Sequence, residues 1–345
     1  MLLPSLSVIV PNYNHARYLP QCLNAMLGQS VQAKEIIVID DASTDNSVEV
    51  LTELAKRESS IKLLKNEKNM GNLVSNLKGW EYATGDFILL AAADDYLLPV
   101  FFKNSLELLA KYPQAGLCSG LSKRINEHGD YIDTVPEPPY LSNTPSYISP
   151  QKMLDAMINR DNWTVMPTVA LINRKLANDA KAFTADPGRY IDGFVVVLMA
   201  LNYGACFIPK EMGVHRILPD SGAAQSRKKP KAHLQDVAPI WKLMETSYAE
   251  KFPPNFRKHL KRLHLYQYGS MAANQLDEFL GGFVDDLKIA LENPSILDRL
   301  LFQATRFFGK LQCFMTRAYL FIRLRKFNTD ILLRIIYRIK NRLTK

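Results

Sequence analysis

Residues 6–47 read LSVIVPNYNHARYLPQCLNAMLGQSVQAKEIIVIDDASTDNS. Two apolar, β-branched runs stand near its ends: Leu6–Val10, which stops at Pro11, and Glu35–Asp40, which runs straight into acids. Runs this short and this apolar read as strands buried on both faces. Between them Leu19, Leu23, Met26 and Leu27 recur close to helical spacing, so residues 17–29 read as a helix.

The same alternation continues outward. Asp45 or Ser47 can cap a helix running to Arg57, with Val48, Leu51 and Leu54 on one face. Ile61–Lys65 reads as a third strand, Asn72–Ala83 as a helix before Gly85, Phe87–Ala91 as a fourth strand ending in acids, and Val100–Tyr112 as a helix. Strands alternating with helices predict a mostly parallel sheet with helices on both faces. Beyond Ala115 the spacing predicts strands over Ala115–Ser119 and Leu121–Ile125 and a hairpin turn at Asn126–Asp130. A loop over Val135–Pro150 comes next, then a helix opened by Ser149-Pro150, a strand over Thr168–Ile172 and a helix over Ile191–Tyr203. Pro219–Pro230 has loop composition, and the signals from Lys231 onward are helical.

Composition bounds the class. The 345 residues are 47% hydrophobic and 22% charged, which is ordinary for a globular chain and argues against disorder. Cys22, Cys118, Cys206 and Cys313 form no CxxC pair, so neither a zinc site nor a disulfide framework is expected, and a reducing cytosol fits. The N-terminus lacks the basic segment of a secretory signal, and no uncharged apolar run reaches the roughly 18 residues of a membrane span. The net charge of +9 is uneven: residues 299–345 hold twelve Lys/Arg against Asp330, a net +11, so the rest of the chain carries −2. Basic residues there alternate with Phe302, Phe307, Phe308, Phe314, Phe321 and later isoleucines, the composition of amphipathic helices lying on an anionic membrane. The competing reading packs these helices on the body or in a dimer. Nucleic acid is disfavoured, because no base-stacking module accompanies the charge.

Ligands of open parallel sheets bind beyond the carboxyl ends of the strands. Strand one leads there into Pro11-Asn12-Tyr13-Asn14, strand two into Asp40-Asp41-Ala42-Ser43-Thr44-Asp45, and strand four into Ala93-Asp94-Asp95. The acids should therefore converge in one crevice, where a bound cation relieves their repulsion. Oxygen ligands suit Mg²⁺ or Mn²⁺ bridging to a pyrophosphate. Each cluster also has a plain reading, since an Asp after a strand is often only a helix cap. The joint pattern is what points to chemistry.

These segments, with Asn69-Met70-Gly71-Asn72, Gly85-Asp86 and Ala93-Asp94-Asp95 following at matching spacing, resemble the N-terminal half of inverting family 2 glycosyltransferases with the GT-A fold. The resemblance is strong over Ser5–Tyr112 and weaker to Ser221. It implies that Pro11, Asn12, Tyr13 and Asn14 line the nucleoside pocket, with Tyr13 beside the base, and that Asp41 accepts from the uracil N3–H. Ser43, Asp45, Asn69 and Gly71 are expected nearby. Asp94 would contact ribose or metal, and Asp95 would bind the metal at the diphosphate. Many members carry Asp-x-Asp-Asp here; this chain has Ala92 at the first position. The resemblance also implies a general base, Asp192, opening the Ile191–Tyr203 helix, with Asp186 as the competing candidate and Ile191 where the family often has Glu. His215 and Arg216 would stabilise the leaving diphosphate.

Other classes lack their signatures. PNYNHA has no glycine for a GxGxxG dinucleotide turn, and no GxxxxGK[ST] loop is present. The Gly-rich basic loop expected of a nucleotidyltransferase is missing after strand one. The expectation is thus an α/β GT-A domain over 1–225 (nucleotide-sugar half 1–112, acceptor half 113–225), a helical extension over 231–298 and a basic tail over 299–345. It would be a metal-dependent, inverting transferase moving a sugar from a UDP-sugar to a glycan or lipid-linked glycan, cytoplasmic and peripheral at the inner face of the cell membrane. The alternative is a catalytically inactive GT-A-like domain serving as a membrane-associated scaffold.

Overall fold

The computed structural model describes residues 2–136, 140–160, 165–184, 186–219, 221 and 230–272. The basic tail over 299–345, the end of the 231–298 extension and most of the 219–230 loop lie outside the described residues. The chain divides into two compact units, residues 1–157 with 162–218, and residues 158–161 with 219–345.

The first unit is built on one sheet. Its strands are β1 (Leu6–Asn12), β2 (Glu35–Asp40), β3 (Ile61–Lys65), β4 (Phe87–Leu90), β5 (Tyr96–Leu97), β6 (Leu117–Ile125), β7 (Tyr131–Val135), β8 (Ser146–Ile148), β9 (Leu171–Asn173) and β10 (Ala205–Arg216). Their order is β3-β2-β1-β4-β9-β6-β10-β5, with β7 on β6 and β8 on β10. β1 pairs parallel with β2 and β4, β2 with β3, and β6 with β10, whereas β9 runs antiparallel between β4 and β6. The helices are α1 (Leu19–Leu27), α2 (Ser47–Arg57), α3 (Asn72–Tyr82), α4 (Phe101–Lys111), α5 (Pro150–Arg160), α6 (Arg174–Asp179) and α7 (Ile191–Tyr203).

Strand alternation sorts the core into two layers. Leu6, Val8, Val10, Ile36, Val38 and Leu89 share one buried cluster with Leu19, Leu23 and Met26 of α1, Leu51 of α2 and Phe102 and Leu106 of α4. The opposite parity, Ile9 and Ile39, meets α3 so closely that a Cβ on Gly79 would stand 2.4 Å from Ile9 Cγ2 and 2.9 Å from Ile39 Cδ1. Helices therefore cover both faces, as the all-buried β2 requires.

Several boundaries differ from the sequence reading. Ala115–Ser119 and Leu121–Ile125 merge into the single strand β6. The Val135–Pro150 stretch contains β8, and residues 167–169 form a 3-10 turn before β9. The twelve-residue β10 went unread because Pro209 and Gly213 interrupt its pattern. The ladder to β6 shifts register at those points, between Ile208 and Glu211 and again before Gly213.

In the second unit, α8 (Pro230–Glu245) and α9 (Pro254–Ala272) pack together. Trp241 Nε1 donates to His264 Nδ1 at 3.0 Å, and Arg257 Nη1 donates to the Met244 carbonyl at 3.3 Å.

Candidate active site

The carboxyl ends of β1 and β2 are stitched together by short polar side chains. Asp40 Oδ1 accepts from Asn12 Nδ2 at 2.9 Å and from the Ser43 hydroxyl at 2.6 Å, and its Oδ2 accepts from the Ser43 amide at 3.1 Å. Asn14 Oδ1 accepts from the Thr44 and Asp45 amides, while its own amide donates to Ser43 Oγ. Asp45 binds the Ala16 and Ser47 amides, both at 3.0 Å, fixing the start of α2, whose capping residue is Asn46. Asn14 and Ala42 take left-handed backbone conformations at φ 58° and 59°. Such sparsely populated geometry persists only where neighbours over-determine it, and it clusters at ligand sites.

Asp41 sits one residue further on, buried. Its Oδ1 accepts from Asn66 Nδ2 at 2.7 Å and the Met70 amide at 2.9 Å, and its Oδ2 accepts from the Gly71 amide at 2.7 Å. Gly71, at φ 86°, is what turns this amide toward the carboxylate at the head of α3. Asn69 Oδ1 accepts from the same amide at 3.1 Å. Tyr13 stands 42% exposed beside these loops, and Pro11 pairs with Ile39 on the last rungs of β1.

A second group forms at the end of β4. Asp95 is buried, with His215 Nδ1 2.9 Å from its Oδ2 and the Arg216 amide donating to its Oδ1 at 2.8 Å. The Arg216 side chain is buried as well. Its Nε donates to the Asp94 carbonyl at 3.2 Å, its Nη2 to Gln21 Oε1 at 3.0 Å, and its guanidinium lies 4.8 Å from the centre of the Tyr18 ring. Burial, followed by the charge of Asp95, pushes the Asp94 carboxyl above its ordinary value. For His215 burial pulls the imidazole down, but the hydrogen bond and charge of Asp95 and the charge of Asp94 outweigh it, leaving the pKa raised.

Asp192 stands in the first turn of α7 with the Gly193 amide donating to its Oδ1 at 2.7 Å. Burial pushes its pKa up; that amide, its own amide and the charge of His215 oppose the rise without cancelling it. The lowering by these amides of the helix's first turn is smaller than the effect of desolvation. Asp186 instead accepts from the Thr184 hydroxyl at 3.2 Å, in an exposed turn.

The sequence-derived residues thus gather in two sets, Asn12, Asn14, Ser43 and Asp45 beside Asp41, Asn69 and Gly71, and Asp94 and Asp95 with His215 and Arg216. His215 acts electrostatically on both Asp94 and Asp192. Asp40, quoted with the acids beyond strand two, completes the first set, and Asn66, Gln21 and Tyr18 join these sets without a prior reading. Asn66 follows β3 directly, so its place at a parallel strand's carboxyl end was the available signal.

A sheet covered by helices on both faces, with a carboxylate pair beyond the end of β4, is an α/β arrangement of the GT-A type. The chain belongs to the glycosyltransferases of family 2: the description "Glycosyl transferase family 2" matches residues 7–180, half of its length. It is 27% identical over 223 residues to an uncharacterised protein of Mycobacterium tuberculosis, covering 62% of this chain and 67% of that one. It is 28% identical over 217 residues to an uncharacterised glycosyltransferase of Nostoc, covering 61% and 64%. Glycosyltransferase GlyG of Streptococcus pneumoniae is 33% identical over 109 residues, covering 32% and 35%, so the aligned stretch spans about a third of that relative. Among solved structures, a fragment of S. aureus TarS in complex with UDP superposes with a TM-score of 0.53 at 18% identity, covering 94% of each chain. The same fragment in complex with UDP-GlcNAc gives 0.54 at 16%, covering 84% of this chain and 92% of that one. At these identities the likeness establishes the fold.

Proposed function

We propose that this chain moves a sugar from a UDP-sugar onto a hydroxyl of a glycan or lipid-linked glycan, with inversion and with a divalent cation. The observation that carries the reading is Asp95, buried at the end of β4 and gripped by His215 and the Arg216 amide from β10. That grip joins a nucleotide-binding strand end to a buried cation, Arg216, in one crevice. The UDP and UDP-GlcNAc complexes of TarS support a uridine donor.

The residues present fit these groups. Three donors occupy Asp41, and a carboxylate offers about four lone-pair positions, so one remains for a base N3–H. Asp94 and Asp95 repel one another, which a cation would relieve. Among the described residues no three ligating side chains surround one point, so Mn²⁺ or Mg²⁺ would be held by Asp94 and Asp95, the diphosphate and water. Such a cation supplies charge neutralisation at the leaving diphosphate. Arg216 and His215 add fixed positive charge on the same side. Asp192 takes the proton of the acceptor hydroxyl as its oxygen bonds to the anomeric carbon. The bond from that carbon to the diphosphate oxygen breaks on the opposite face, and the nucleoside diphosphate departs. The raised pKa of Asp192 suits a base working near neutrality.

The basic tail completes the reading. Its +11 charge and interleaved aromatics fit a peripheral anchor on the anionic inner face of a cell membrane, where a lipid-linked acceptor would be met. Among the described residues no helix is long and apolar enough to cross a membrane.

The test is Asp192→Asn. Transfer should fall at least ~10²-fold with UDP affinity nearly unchanged, and the acid limb of the pH–rate profile, placed above the ordinary aspartate range, should disappear. Near-normal turnover of Asp192→Asn beside a dead Asp186→Asn would move the base to the preceding turn.

A further inference from the structure

Arg216 is the last residue of β10, and it is buried. Among the described residues every bond of its side chain goes to a neutral group. Nε donates to the Asp94 carbonyl at 3.2 Å, Nη2 donates to Gln21 Oε1 at 3.0 Å, and the guanidinium lies 4.8 Å from the centre of the Tyr18 ring. A guanidinium has five N–H donors, so most of its donor capacity is unspent. A buried cation held only by neutral partners is costly unless an anion meets it. Both side chains that hold it come from the head of α1. Tyr18 immediately precedes the helix and Gln21 lies three positions further on, a spacing that puts the two on one side of the first turn. Leu19, Cys22, Leu23 and Met26 bury the other side of α1 in the core, and the His15 carbonyl accepts from the Tyr18 amide at 2.8 Å and the Leu19 amide at 3.2 Å. The helix start is therefore a fixed platform for Arg216.

We infer that Tyr18 and Gln21 are positioning residues for the donor diphosphate. The Tyr18 ring supports the flat face of the guanidinium, and the Gln21 amide oxygen holds one of its edges, so the unspent N–H groups are left to the anion beside Asp94 and Asp95. An arginine loses much rotamer freedom when it grips a ligand, and a guanidinium already fixed at Nε, Nη2 and its face loses less. The Tyr18 hydroxyl has no part in this grip, because it accepts from Arg17 Nη2. The inference rests on the reading that Arg216 meets the diphosphate, and it adds which groups of the chain aim it there.

Titrations of UDP and of UMP into the full chain with Mn²⁺ test it, because UMP keeps the nucleoside and one phosphate but lacks the second. Gln21→Ala with Tyr18→Leu should weaken UDP about 10-fold and UMP much less, so the preference for UDP falls. Tyr18→Phe, which keeps the ring, should stay close to the parent. Gln21→Ala alone, at an exposed position, should weaken UDP about 3–10-fold and serves where the double variant fails to fold. Variants that melt earlier yet keep the parent's preference for UDP overturn the positioning role, and so does a Tyr18→Phe chain as weak as Tyr18→Leu. Arg216→Ala separates the inference from the reading beneath it. If that chain loses the preference for UDP while the double variant keeps it, the inference alone fails. If Arg216→Ala binds UDP as the parent does, Arg216 leaves the diphosphate site and the inference goes with it.

Discussion

Glu35 offers a prediction whose size can be worked from the structure. It opens β2 at the edge of the sheet opposite the crevice, fully buried. Its Oε1 accepts from the Ser7 hydroxyl at 2.6 Å, the Thr84 amide at 2.7 Å and the Thr84 hydroxyl at 2.8 Å, and Lys62 Nζ lies 2.5 Å from its Oε2. Burial alone would raise its pKa; these donors, Lys62 foremost, outweigh it and bring the carboxyl down from 4.5 to about 2. A folded pKa below the unfolded one stabilises the fold above the unfolded value, and the gain is lost as pH falls through the folded one. A gap of about 2.5 units corresponds to about 3 kcal/mol at neutral pH. The half-exposed Lys62 discounts this to about 2–3 kcal/mol. Glu35→Gln keeps the shape but points an amide donor at a cluster of donors. Urea unfolding should show the variant about 2–3 kcal/mol less stable at pH 7. The deficit should shrink to about 1 kcal/mol near pH 3, where the carboxylate of the parent's unfolded state is protonated. A deficit constant from neutral to acid pH would refute the charge argument, and a negligible one would refute the network.

Two further outcomes follow from separate features. Val100 caps α4 in the left-handed region at φ 64° while 44% exposed, a conformation a β-branched residue resists, so Val100→Asn should stabilise by about 1 kcal/mol and raise Tm by a few degrees; an unchanged or lower Tm would show the site unstrained. The full chain should float with anionic-lipid vesicles and release only partly at high salt, whereas a chain ending at Asp298 should not float yet still bind UDP; absence of flotation of the full chain removes the membrane anchor.

Much of the first half was legible because its signals are local. β2 is six residues buried on both faces, and its apolar run announces that directly. The acids beyond β2 and β4 were readable as a crevice because strand ends converge in a parallel sheet. What escaped depends on distant partners. β5 and β8 are two and three residues long and exist because β10 offers them a ladder. β10 itself hides behind Pro209 and Gly213, yet it delivers His215 and Arg216 to Asp95 across more than a hundred residues of chain. The polar loop side chains also proved busier than their residue types suggest. Asp45 and Asn14 spend their oxygens on backbone amides, and Asp41 is mostly occupied by Asn66, Met70 and Gly71. Such saturation is a property of the folded loops, invisible in residue identity.

The central claim is that Asp94 and Asp95, held by β10, form a cation-assisted diphosphate site. Calorimetric titration of UDP into the full chain with Mn²⁺ and with EDTA, repeated on Asp95→Ala, tests it most directly. The account predicts tight binding only with Mn²⁺, and weak binding indifferent to Mn²⁺ once Asp95 is gone. Equal UDP affinity in Mn²⁺ and EDTA, or an Asp95→Ala chain that keeps the full Mn²⁺ dependence, would contradict it.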